Sequence, residues 1–348
     1  MTTPVVILDA GNSIIKGRTA TREREFVHAL AQITESNIDK VTAHNRGTIP
    51  PGYIRVNGQP YAYGEAAERK DVLKRKTGAA RYVREYFGVL VGVMLAQLYP
   101  DRGETVALFA SHAPQDINYA DDLIKSALGY YAIEIEDRSL TFNVECGVTY
   151  DEPIGGLMNV ILAADGHHYE RSDVYEGRAL VIDIGGYTTD LVAVNPGGEV
   201  DFSIHESIPL GIQEILRDFE NSIKNTYRAD FKGARINPEQ LRAAITTGAF
   251  HGGGRVLDCR DEAAEATTKL LNGIASIYQS VAGGPLQWNN IILTGGGSAM
   301  LADRLISEVL DHSSVLLADK EVARMHLANI RGGLKLWRLL DPLGEGRL

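Results

Sequence analysis

Two stretches of this chain repeat one plan, and that repetition limits what the chain can fold into more than any other feature. "VVILDAGNSIIKGR" (5–18) and "ALVIDIGGYTTDLVAV" (179–194) each run an apolar strand into an aspartate, one further residue, a glycine, small or polar residues and a second β-branched stretch. Both read as a β-hairpin with an acid at its mouth. Two copies imply two similarly built halves, each presenting its turn to a shared cleft. Chance is the alternative, because a single strand-Asp-x-Gly turn is common.

The residue types in these turns suit phosphate chemistry. Gly11 and Gly185 allow positive φ or close backbone approach, so that successive N–H groups point into an anion-binding concavity. Ser13, Thr188 and Thr189 supply hydroxyls, and Lys16 supplies a point charge for a β- or γ-phosphate. Asp9 and Asp183 would repel phosphate directly, but they can hold Mg²⁺ through its retained waters. Opposed acids beside phosphate cradles imply a metal–nucleotide. Either turn taken alone also reads as an Asx motif accepting its own turn N–H groups.

A third element, "NNIILTGGGSAML" (289–301), is a strand ending in Gly295-Gly296-Gly297 and followed by a helix, with Ser298 expected as the helix N-cap. Three glycines let the backbone pass close to a base or ribose, and a helix N-terminus offers N–H groups to phosphate. A tight strand-to-helix turn is the alternative.

Composition excludes several classes. The 348 residues are 44% hydrophobic and 23% charged, as in a globular protein with room for two domains. A net charge of -10 argues against nucleic acid as a bulk electrostatic partner, and the basic stretch Arg69 to Arg84 reads as a solvated helix face. Cys146 and Cys259 lie far apart without pairing or metal spacing, which implies a reduced, cytoplasmic setting. The longest apolar run, Phe87 to Tyr99, is 13 residues, a buried helix rather than a membrane span, and the N-terminus lacks a signal core.

Strand signals at 5–11, 105–114, 179–186 and 290–297 alternate with helical patterns near 79–98, 116–129, 153–164, 210–225, 238–247, 261–281, 299–310 and 321–340, an α/β mixture. Gly252-Gly253-Gly254 reads as a hairpin turn.

Taken together, Asp9-x-Gly11-Asn12-Ser13-x-x-Lys16, Asp183-x-Gly185-Gly186-Tyr187-Thr188-Thr189-Asp190 and Thr294-Gly295-Gly296-Gly297-Ser298 resemble the phosphate-1, phosphate-2 and adenosine motifs of the actin, sugar-kinase and heat-shock-chaperone ATPase superfamily. "YAYGEAA" (61–67) and "NIRGGLKLW" (329–337) are similar to segments of actin-like plasmid-segregation proteins of the ParM type. The resemblance implies two RNase H-like domains flanking a nucleotide cleft, each with an insertion: domain I over 1–160 and 326–348 with its insertion near 33–90, and domain II over 161–325 with its insertion near 210–285. It implies ATP (or GTP) with Mg²⁺ as cofactor, with Asn12 and Tyr187 joining the phosphate turns and Gly211 lining the cleft.

In ParM and MreB an acid near "VTYDEPIGG" (148–156) orients or deprotonates the lytic water, and Glu152 is the matching residue, beside Asp151. A carboxylate there is also an ordinary helix-capping acid. The implied function is a filament-forming cytoskeletal or plasmid-segregating ATPase that assembles with itself, served by an adaptor linking it to DNA, with no direct nucleic-acid binding and no membrane. A small-molecule kinase of the same superfold is the alternative; it would need an acceptor pocket and a base, for which His112 and the pair His167-His168 are the candidates. A chaperone would need a further substrate-binding domain.

Overall fold

The computed structural model describes residues 3–70, 78–229, 231, 236–252 and 254–341. Positions 71–77 of the basic stretch, and Gly253, therefore lie outside the described residues. The chain forms two units, one built from residues up to Ser172 and from Leu327 onward, the other from Asp173–His326.

The first unit runs through β1 (Val5–Ala10), β2 (Ile14–Arg18), β3 (Glu23–Val27), β4 (Leu30–Gln32), α1 (Glu35–His44), β5 (Tyr53–Val56), β6 (Gln59–Tyr63), α2 (Glu65–Glu68), α3 (Val89–Leu98), β7 (Thr105–His112), α4 (Ala120–Ala127), β8 (Gly129–Ile135), β9 (Arg138–Asp151) and α5 (Glu152–Ile161). A terminal helix, Ala328–Leu340, returns to it. Among the described residues its sheet has the order β3-β2-β1-β7-β9-β8-β5-β6-β4. Among the described residues of this sheet, the parallel pairs are β1 with β7 and β7 with β9. Because both faces of these central strands are covered, β1 and β7 are buried almost throughout, which accounts for their unbroken apolar runs.

One face is covered by α3, whose apolar residues are buried on all sides. The other takes Ile330, Leu334 and Trp337 of the terminal helix against Ile7, Phe109 and Tyr150. That helix crosses α5 at glycine. A Cβ on Gly332 would lie 1.7 Å from the carbonyl oxygen of Gly155, so the two backbones are in contact and no side chain fits between them. A satellite core of Ala29, Ala31, Ile33, Ile38, Ile49, Ala62 and Ala67 seats α1 and α2 against β4 and β6.

The second unit opens with α6 (Ser172–Glu176) and continues with β10 (Ala179–Ile184), β11 (Thr189–Val194), β12 (Val200–Ile208), α7 (Ile212–Thr226), α8 (Pro238–Thr247), β13 (Ala249–Gly252), β14 (Arg255–Asp258), α9 (Arg260–Ser280), β15 (Asn290–Thr294), α10 (Gly295–Arg304) and β16 (Val315–Leu317). Its main sheet, in the order β12-β11-β10-β15-β16, is antiparallel from β12 to β10 and parallel from β10 to β16. The first unit repeats this arrangement in β3-β2-β1-β7-β9, the architectural counterpart of the repeated sequence plan. Ile212, Ile215, Leu216, Phe219 and Ile223 give α7 one buried stripe at helical spacing. The hairpin expected around Gly252 is β13–β14, with Gly252 opposite Arg255.

Candidate functional site

The hairpin register puts Asp9 opposite Lys16, and Lys16 Nζ lies 2.7 Å from Asp9 Oδ2. Asp9 is fully buried, and its Oδ1 has no hydrogen-bond partner among the described residues; neither does the buried Oγ of Ser13. Gly11 is needed for close approach, since a Cβ there would stand 2.8 Å from the Ile14 carbonyl oxygen.

The turn after β1 is held from behind by residues that sequence reasoning missed. Arg81 Nη1 donates to the Ala10 carbonyl at 2.9 Å and to Asn12 Oδ1 at 3.0 Å. Its Nη2 donates to Asp116 Oδ2 at 2.8 Å and to the Tyr82 hydroxyl, which itself donates to Asp116 Oδ2 at 2.8 Å. Burial works against the Arg81 charge, but Tyr82, Glu152 and Asp116 outweigh it and raise its pKa. His28 Nδ1 is 2.8 Å from the Gly11 carbonyl, its backbone N–H donates to the Ser13 carbonyl at 2.9 Å, and Nε2 is 2.9 Å from the Tyr86 hydroxyl. Since a carbonyl can only accept, Nδ1 carries a proton. Arg81 and Tyr86 both come from the irregular segment of a 3₁₀ turn, Gly78–Arg81, and a π turn, Arg84–Gly88, where the helical pattern near 79–98 predicts a regular helix. The one available signal was a lone arginine inside a basic run, which reads as surface.

Farther across the same sheet, register places Asp9 beside Ser111 and Ser111 beside Tyr150, at the C-terminal ends of three parallel strands. Catalytic and binding groups gather at such ends in α/β sheets. His112 is opposite Asp151, with Nδ1 at 3.3 Å from Asp151 Oδ1, so His112 is buried in the sheet rather than on the surface. Glu152 opens α5 directly after the N-cap residue Asp151, and Asp151 makes no side-chain cap bond. Burial raises the Tyr150 pKa well above the usual tyrosine value, and the Asp9 and Glu152 charges add to it. Asp9 and Glu152 are thus within electrostatic reach of one buried ring. His167 and His168 lie in an exposed connection organised by Asp165, whose Oδ1 accepts the His167 amide at 2.9 Å.

In the second unit Asp183 is buried in β10, opposite Asp190 in β11 and Thr294 in β15. The turn closes through the Gly185 amide donating to the Thr188 carbonyl at 2.8 Å. Two amides at the start of α7 then staple it: Ile212 N–H to Gly185 O at 3.2 Å and Gln213 N–H to Gly186 O at 2.8 Å. Gly211 is required by that contact, because its Cβ would lie 2.7 Å from the Gly186 carbonyl. Tyr187 is exposed at the tip, Thr188 half-buried, and Thr189 buried with its hydroxyl donated to the Leu210 carbonyl at 2.7 Å.

The triple glycine differs from expectation. The helix α10 begins at Gly295 itself, with Thr294 as N-cap, so Ser298 is not the cap. Ser298 is buried in the first turn and its hydroxyl donates back to the Thr294 carbonyl. The physical reason is Gly295, whose φ of +86° lets the chain turn from strand to helix at once, without the loop that a later cap would need. A Cβ on Gly295 would lie 2.1 Å from Asp183 Oδ1, and one on Gly297 2.3 Å from Ile184 Cγ2. Gly296 would meet only His326 Cβ at 3.4 Å, so it is the glycine of the three with room for a side chain. Asp183, Gly185 to Thr188, Gly211 and Gly295 to Ser298 are therefore gathered in one place.

Among the described residues no group of three or more His, Cys, Asp and Glu could hold a metal ion by itself. A water-retaining Mg²⁺ needs only one or two carboxylates beside phosphate oxygens. The spare oxygen of Asp9 and the spare hydroxyl of Ser13 fit that requirement.

Residues 181–307 match the family model of the C-terminal domain of MreB-like archaeal actin homologues. No protein with a curated description matches significantly. Among solved structures, the archaeal actin homologue Ta0583 in complex with ADP superposes with a TM-score of 0.73 at 16% identity, over 96% of this chain and 98% of that one. The apo ParM of pSK41 superposes with a TM-score of 0.71 at 19% identity, over 99% and 100%. A 15-stranded ParM filament from Clostridium botulinum gives a TM-score of 0.72 at 19% identity, over 96% and 99%. Likeness at such identity is a likeness of fold, and the chain has the actin-like fold.

Proposed function

We propose that the chain is a filament-forming actin-like ATPase that binds ATP (or GTP) with Mg²⁺ and couples hydrolysis to assembly of its own copies. The observation that carries the reading is the pinned turn after β1, where Asp9 Oδ1 and Ser13 Oγ are buried without hydrogen-bond partners among the described residues, beside the Lys16 ammonium. Asp9 and Asp183 would hold the waters of Mg²⁺. Gly11, Asn12, Ser13, Lys16, Gly185, Gly186, Tyr187 and Thr188 would hold the phosphates. Gly211 and Gly295 to Gly297 would face the nucleoside, and Ser298 would brace them from beneath. Glu152 would orient the attacking water. When bound, Mg²⁺ supplies the charge neutralisation that phosphoryl transfer needs.

The ADP complex of Ta0583 and the ParM filament support nucleotide binding and self-assembly here by analogy of fold. A cytoplasmic role in a cytoskeleton or in plasmid segregation through an adaptor belongs to the same proposal, as does the reading of the two units as the two actin-like domains. No helix among the described residues is long and apolar enough to cross a membrane. The test is sedimentation with and without Mg–ATP, followed by electron microscopy of the pellet. Nucleotide-dependent filaments are expected. Turnover without sedimentable polymer would move the assignment to the small-molecule kinase, and absence of nucleotide binding would overturn it.

A further inference from the structure

The turn after β1 has three of its backbone oxygens engaged on the protein side. Ala10 O is taken by Arg81, Gly11 O by His28 Nδ1 and Ser13 O by the His28 amide, while the Asn12 side chain is held by Arg81. Both holders are buried, Arg81 at 2% and His28 at 0% exposure, and both trace back to the segment Gly78–Gly88, His28 through the Tyr86 hydroxyl. Short 3₁₀ and π turns are poorer in hydrogen-bond geometry than α-helix and recur at functional sites. Here the irregularity delivers the Arg81 guanidinium to the turn and, within the six residues Arg81 to Tyr86, a phenol to the His28 that holds it.

A buried guanidinium is expensive unless its fork is filled. Arg81 fills both of its terminal nitrogens, Nη1 with Ala10 and Asn12 and Nη2 with Tyr82 and Asp116, while its buried Nε has no hydrogen-bond partner among the described residues; Ser126 Oγ donates to the Tyr82 carbonyl at 2.6 Å. A purely structural ion pair would have been served by Asp116 alone. Two of the Arg81 bonds go instead to Ala10 and Asn12, the residues flanking Gly11, whose backbone packs too closely on the Ile14 carbonyl for a side chain.

We propose that Arg81, set by Asp116 and Tyr82 and seconded by His28, is a positioning residue that preorganises the Ala10–Ser13 turn for the phosphates of the nucleotide. Neither residue touches the ligand. They fix which way the turn's carbonyls point, so that its N–H groups and the Ser13 hydroxyl remain for an anion. The inference rests on the proposed nucleotide site.

The experiment measures binding of a fluorescent ATP analogue with Mg²⁺ to the full chain, with thermal unfolding recorded alongside. Wild type must bind; a folded wild type that binds no nucleotide overturns the site and the clamp together. The double variant Arg81→Met, Asp116→Asn removes both buried charges at once, so that neither is stranded. An affinity loss of about 10- to 100-fold at a retained unfolding transition is expected, the range for residues that orient binding groups from behind. Arg81→Lys, which keeps the charge but not the fork, should fall between the two. Wild-type affinity in a folded double variant overturns the clamp while leaving the nucleotide site standing. Should the double variant not fold, Arg81→Lys decides: unchanged affinity overturns the proposal.

Discussion

Lys16 Nζ lies 2.7 Å from Oδ2 of Asp9 across the first hairpin, and the other oxygen of that carboxylate is buried without a hydrogen-bond partner among the described residues. Lys16 is 13% exposed and Asp9 1%, so water screens the pair little. Removing one member should therefore strand a buried charge. Lys16→Met is expected to destabilise the chain by about 3 kcal/mol, whereas Lys16→Met combined with Asp9→Asn should recover most of it. Urea unfolding of the two variants checks this, and simple additivity of the two changes would count against the coupling.

Asp183→Ala should sharply weaken Mg²⁺-dependent nucleotide binding or turnover while leaving the fold intact. Asp183 is buried at the end of its strand, where a Cβ on Gly295 would lie 2.1 Å from its Oδ1, so truncation to Ala introduces no clash. Calorimetric titration of Mg–ATP into wild type and variant is the measurement. Unchanged Mg²⁺-dependent affinity in a folded variant rejects the metal role.

The triple glycine separates packing from ligand contact. Gly295→Ala and Gly297→Ala would place a methyl 2.1 and 2.3 Å from existing atoms, and should each cost about 2 kcal/mol or more in unfolding experiments whatever the ligand. Gly296→Ala meets only His326 Cβ at 3.4 Å and lies in a helix, so its stability should stay within about 1 kcal/mol of wild type. A drop in nucleotide affinity for Gly296→Ala would then report the ligand. Undiminished affinity would reduce the motif to a structural turn.

Glu152→Ala should lower hydrolysis by roughly 10²- to 10⁴-fold with nucleotide binding retained. Because the γ-phosphate would go on biasing the assembly-competent state, its filaments should outlast those of wild type in a light-scattering time course. If turnover is unchanged, the water-orienting role moves to the neighbouring Asp151.

Acid should loosen the first unit in part through Glu23. Burial works to raise its pKa, but the hydrogen bonds and charges of Arg331 and Arg18 prevail and hold it below the ordinary 4.5. A carboxylate depressed in the folded state contributes stability that is fully present above the unfolded value and is lost as pH falls through the folded value. Glu23→Gln should therefore be less stable than wild type near neutrality and converge with it as pH falls below the ordinary 4.5 and through the lowered folded value. Parallel unfolding curves down to acid pH would show that the Arg331 bridge contributes nothing.

The sequence by itself determined the strand-turn-strand units around Asp9 and Asp183, the strand feeding Gly295, and the helix α8 over 238–247, because each depends on period, β-branching and glycine placement within a few neighbouring residues. Tertiary structure decided what local pattern does not encode. The hairpin of β8 and β9 and the helix α1 went unread in sequence because pairing and burial against distant strands form them. The start of α10 was misplaced because Thr294, not Ser298, is the residue left in extended backbone once Gly295 turns the chain. Arg81 and His28 were invisible as parts of the site for the same reason. A charge in a basic run reads as solvated until the fold brings a carboxylate, a phenol and two turn oxygens around it, and only that enclosure makes its burial tolerable.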